Sequence, residues 1–122
     1  MNATVFQEIY DEIDKYLPQK WDKIVAYLEY MEGAYSISFF VKQDKEYVKC
    51  YDIPGINEDD LMKSFKTIDK VVNKERETLK ESWTNMTMVV KPDGDMHTDF
   101  DYTDLTEGSY KYKKEWKAKY LV

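Results

Sequence analysis

Apolar residues change their spacing several times along the chain, and each change marks an element. Phe6, Ile9, Ile13 and Tyr16 or Leu17 recur at helical intervals, with Glu8, Asp11, Glu12 and Asp14 filling the other side. That spacing predicts a helix over residues 3–17, stopped at Pro18, which has no N–H to continue it. Residues 20–31, 35–42 and 46–52 are then dominated by aromatic and β-branched side chains, as pleated surfaces prefer, and Glu32-Gly33 supplies a turn. Short connections predict an antiparallel meander. Ile53-Pro54-Gly55-Ile56 breaks the pattern, and a long helix is expected from about Asp59 to Ser82. Asn57 can cap it, and Glu58, Asp59 and Asp60 suit the positive end of its dipole. Leu61, Phe65, Ile68, Val72, Leu79 and Trp83 form its apolar stripe, opposite Lys63, Lys66, Lys70, Lys74, Glu77 and Lys80. A second hairpin is predicted over 84–102. A short last helix over 109–120 carries Tyr112, Trp116 and Tyr120 at four-residue steps.

The second hairpin can pair in two registers. A two-residue Asp93-Gly94 loop puts Met86, Met88 and Val90 on one face with His97, Asp99 and Asp101, mixing apolar and charged groups. A three-residue loop, Pro92-Asp93-Gly94, shifts the pairing by one, with Gly94 in the left-handed conformation of a bulge. Met86, Met88, Val90, Met96, Thr98, Phe100 and Tyr102 then share one face, and Thr87, Val89, Lys91, Asp95, His97, Asp99 and Asp101 the other. Because a slip of one residue flips every side chain, the cleaner separation is expected. Together the elements predict one α+β domain over residues 1–122. Its order is α-β-β-β-α-β-β-α, its sheet mainly antiparallel, and its helices packed on one face.

Charge gives this pattern a direction. The chain of 122 residues has a formal net charge of −6, and from Asp93 to Glu107 there are six acidic residues and no lysine or arginine. Such a chain is repelled by nucleic acid and by anionic membrane, so neither is an expected direct partner, and a basic protein is favoured. Asp95, Asp99, Asp101, Asp104 and Glu107 are the candidate contact residues. Lysines from Lys111 to Lys119 make the last helix basic, so the molecule is expected to be polarised between hairpin and last helix. The N-terminus lacks a cationic stretch followed by an apolar run, and no segment approaches the ~20 apolar residues that span a bilayer. The single cysteine, Cys50, allows no internal disulfide. A cytoplasmic location follows as the expectation.

Catalytic chemistry finds little support in the pattern. Cys50 lies in an apolar strand without the surroundings that activate a thiolate, and reads as a core residue. There is no glycine-rich phosphate loop. Asp99 and Asp101, with His97, could reach a cation from one strand face, so a metal-binding protein or metal-dependent enzyme stands as the alternative. Aspartates alternating along an exposed strand occur equally without a metal. No cofactor, catalytic residue or metal site is assigned, and the chain is read as a non-enzymatic binding protein.

Several segments in order resemble the YezG family of bacterial immunity proteins. An N-terminal helix leads to Pro18-Gln19-Lys20-Trp21-Asp22-Lys23-Ile24, and Tyr51-Asp52-Ile53-Pro54 closes the first sheet. A long helix leads to Trp83-Thr84-Asn85-Met86-Thr87. Asp93-Gly94 follows, then Asp99-Phe100-Asp101-Tyr102-Thr103-Asp104-Leu105, then Trp116-Lys117-Ala118-Lys119-Tyr120-Leu121. The resemblance implies an α+β domain that acts as an antitoxin, binding a secreted polymorphic toxin encoded beside it. In that family the toxins are often nucleases, exported by the type VII secretion pathway, and the immunity protein stays in the cytoplasm of the producing cell. The short segment between Glu107 and Trp116, and lysines where the family has some arginine, leave the cognate toxin open.

Overall fold

A computed structural model describes every residue except Met1, Glu32, Glu107 and Ser109. Its elements are α1 (Ala3–Asp14), β1 (Lys23–Met31), β2 (Ala34–Gln43), β3 (Glu46–Lys49), a 3-10 turn (Cys50–Asp52), α2 (Glu58–Leu79), β4 (Asn85–Val90), β5 (Met96–Asp101) and α3 (Tyr110–Tyr120). The order and the α+β class are as expected. All strand pairs are antiparallel, and the sheet runs β3-β2-β1-β4-β5.

Local chemistry sets the element ends. Asn57 accepts a hydrogen bond from the Asp60 amide at 3.1 Å, capping α2 as its position predicts. Lys80 stops the helix in the left-handed conformation, at φ 52°, with its N–H directed to the Arg76 and Glu77 carbonyls. The helix therefore ends before Trp83, which folds back and is buried against the sheet. Leu79, placed by periodicity on the buried stripe, is half exposed. It stands in the last turn, and the inward position one turn earlier is taken by Arg76. The Arg76 guanidinium lies between the Tyr30 ring at 4.7 Å and the Trp83 ring at 4.6 Å. The third strand is shorter than 46–52, because Cys50 turns inward and its carbonyl accepts from Ile53 just before Pro54. The Cys50 thiol is buried, which pushes its pKa up and away from thiolate chemistry.

The expectation of helices on one face holds for α1 and α2. Their apolar stripes cover Ile24, Ala26, Leu28, Phe39, Met86 and Met88. α3 lies on the opposite face, where Trp116 packs with Val25, Tyr27 and Phe40. Ring centroids of Trp116 are 4.9 Å from Tyr27 and 5.7 Å from Phe40. β1 is thus covered on both sides, which accounts for its nearly continuous apolar run: every residue from Ile24 to Tyr30 is buried, Glu29 included.

Candidate functional site

The hairpin pairs in the register of the three-residue loop. Met86 faces Phe100, Met88 faces Thr98 and Val90 faces Met96. The Lys91 amide donates to the Asp95 carbonyl across the loop, and Gly94 has φ 91°. Met96 and Phe100 accordingly pack toward α1 and α2, and His97, Asp99 and Asp101 point to the other face.

That face is not an open strip of carboxylates. α3, expected at the far pole of the molecule, lies directly on it and donates one hydrogen bond per turn to the sheet. Tyr112 Oη donates to Asn85 Oδ1 at 2.8 Å, Trp116 Nε1 to Thr87 Oγ1 at 2.8 Å, and Tyr120 Oη to Asp99 Oδ2 at 2.6 Å. The expected polarisation between an acidic hairpin and a distant basic helix is therefore corrected. The lysine-bearing helix sits beside the aspartates because its tyrosine and tryptophan donors match acceptors on β4 and β5. A polar cleft of about 310 Å³ remains between them, lined by Asn85, Asp99, Asp101, Glu115 and Lys119 among others.

The five candidate contact residues divide accordingly. Asp99 and Asp101 lie together, half-buried at the edge of α3. The Tyr120 hydroxyl, then the His97 imidazole 2.8 Å away, hold the Asp99 carboxyl below its usual range. Asp101 is likewise lowered, chiefly by hydrogen bonding from Thr103, whose amide donates to it at 2.7 Å. Asp104 is exposed and lowered by the Thr106 amide at 3.0 Å and then by the Thr106 hydroxyl. Asp95 is exposed at the turn, where its amide donates to Asp93 Oδ1 at 2.9 Å. Six residue steps along the strand, roughly 20 Å, separate it from Asp101. Glu107 lies outside the described residues.

The metal alternative finds no ligand set: among the described residues no three His, Cys, Asp or Glu side chains converge on a common point. The His97 ring nitrogen is already engaged with Asp99.

Residues missed at the sequence level complete the face. Glu29 is only 2% exposed and accepts from the Tyr27 hydroxyl at 2.8 Å. Asn85 and Thr87 are also buried, as acceptors for α3. A glutamate inside the apolar run Ile24–Tyr30 was the available signal, since such a position is buried whatever its side chain.

The Tyr120–Asp99 bond makes a pH prediction. Because the folded pKa of Asp99 is depressed, its stabilising contribution is present above the ordinary carboxylate pKa and is lost as pH falls through the lowered value. Tyr120→Phe should move the Asp99 pKa back up and flatten the acid limb of stability against pH. An NMR titration of the carboxyl carbon reads this directly; an unmoved Asp99 pKa would refute the assignment.

No helix among the described residues is long and apolar enough to cross a membrane. The family model described as "Immunity protein YezG-like" matches residues 2–122. A curated relative, "Immunity protein YezG" of Bacillus spizizenii, is 23% identical over 113 residues, covering 83% of this chain and 68% of the relative. With a full-length match of this kind, the chain belongs to the YezG-like immunity protein family.

Proposed function

We propose that the chain neutralises a cognate toxin by stoichiometric binding in the cytoplasm of the producing cell, and that the toxin is a basic nuclease domain exported by type VII secretion. Family membership supports the immunity role. The observation that supports the finer reading is the acidic stretch that holds Asp95, Asp99, Asp101, Asp104 and Glu107 and no lysine or arginine, with Asp95 and Asp104 exposed. A nuclease presents positive charge to hold phosphates. An opposing acidic surface speeds encounter and captures a newly made toxin before it acts.

Binding without turnover has a simple signature. Titrating this chain into a fixed amount of the toxin domain encoded beside it should abolish nuclease activity linearly, with the endpoint at one immunity protein per toxin. Complete inactivation well below equivalence would point to catalysis, and no inhibition at large excess would reject the toxin assignment.

A further inference from the structure

The exposed apolar side chains are not spread evenly. Among the described residues, Met31, Tyr35, Leu79, Tyr102 and Tyr110, five of the eight exposed large hydrophobic residues, belong to one end of the sheet. The topology brings them there. Met31 and Tyr35 flank the β1–β2 turn, and Glu29 pairs with Asn85, which in turn pairs with Asp101, so β5 leaves the sheet beside that turn. The last turn of α2 docks at the same end through Arg76 against Tyr30 and Trp83, and α3 starts from the loop leaving β5. Tyr102 is 64% and Tyr110 84% exposed, so the fold makes little use of either ring.

The segment that follows Tyr102, residues 103–106, is held in place. Leu105 is buried as its plug. Thr84 Oγ1 donates to the Thr103 carbonyl at 2.6 Å, and the carboxylates of Asp101 and Asp104 accept the amides of Thr103 and Thr106. A braced segment loses little conformational freedom on binding, and exposed tyrosines on such a support, Tyr102 at its start and Tyr110 on the first turn of the docked α3, are the usual composition of binding hot spots. The stretch from Asp93 to Tyr110 carries aspartates and no lysine or arginine.

We propose that this end of the sheet is the centre of the toxin contact, with the rings of Tyr102 and Tyr110 as anchors, the exposed Asp104 between them in the sequence, and a lysine- or arginine-rich patch of the toxin protein as the occupant. The inference rests on the toxin-binding reading above and names the place where it happens. It moves the contact away from Asp99 and Asp101, whose carboxylates hold Tyr120 and Thr103, toward the carboxylate and rings that the fold leaves outward. A cationic partner matches both features, since its side chains can pair with Asp104 and lie over the tyrosine rings.

The test measures affinity for the purified toxin domain encoded beside this gene, using the full chain. Tyr102→Ala with Tyr110→Ala should weaken binding by about 30-fold or more, while Tyr102→Phe with Tyr110→Phe keeps affinity within a few-fold. Met62→Ala, an exposed apolar residue near the opposite end of α2, should leave it unchanged. Circular dichroism confirms that each variant folds. Tight wild-type binding that the alanine pair leaves intact overturns this location and spares the toxin reading. Absence of any wild-type complex overturns both.

Discussion

Trp116→Ala should release α3 from the sheet and leave the rest of the fold standing. Trp116 is the one buried residue of that helix, packed on Tyr27 and Phe40 and hydrogen-bonded to Thr87. Removing a buried tryptophan costs about 3–5 kcal/mol, a large part of the roughly 5–15 kcal/mol that holds a typical domain together. The rest of α3 carries lysines at 111, 113, 114, 117 and 119 and buries no other side chain fully, so the half-exposed Tyr112 and Tyr120 and their hydrogen bonds to Asn85 and Asp99 are left to hold it alone. The expected result is a lower melting temperature and loss of amide-exchange protection over 110–120, with β1, β2 and α2 still protected. Asp99 and Asp101 would then face water, and the Asp99 pKa would return toward its ordinary value. Global unfolding without a protected remnant would show that α3 belongs to the main cooperative core.

The second large effect concerns association. Asp95→Lys with Asp104→Lys changes the charge by four units at two exposed positions, and because Asp104 also accepts the Thr106 amide and hydroxyl, circular dichroism first checks that the double variant is folded. If the hairpin steers a basic toxin, association at low salt should slow by roughly 10- to 100-fold, and the slope of rate against salt should flatten. Reversing Asp99 instead would confound the reading, because it also breaks the Tyr120 hydrogen bond. A double variant that associates at the wild-type rate would remove electrostatic steering from the account.

How far the sequence reached differs by element. The hairpin register was legible because Met86, Met88 and Val90 had to share a face with Phe100 rather than with Asp99, and a one-residue slip reverses every side chain. The start of α2 was legible from Asn57 and the three acidic residues after it. The placement of α3 was not. One aromatic residue per turn can dock on either face of a sheet, and its partners, Asn85, Thr87 and Asp99, read as surface residues when taken singly. The clue lay in β1, whose apolar run from Ile24 to Tyr30 demands cover on both sides. Arg76 was equally hidden. A guanidinium between two rings depends on Trp83 folding back beyond the helix end, which no spacing of residues shows. For the candidate site, the identity of the acidic residues was legible. Their division into carboxylates that brace the fold and carboxylates that face outward required the positions of Tyr120, Thr103 and Thr106.

The central claim is that the acidic end of this sheet meets a toxin. Amide hydrogen exchange of the chain, free and bound to the neighbouring toxin domain, tests it most directly. The account predicts new protection over β5 and the following loop, residues 96–106, with α1 and the outer side of α2 unchanged. Protection confined to α1 and α2, with the hairpin exchanging as in the free protein, would contradict it.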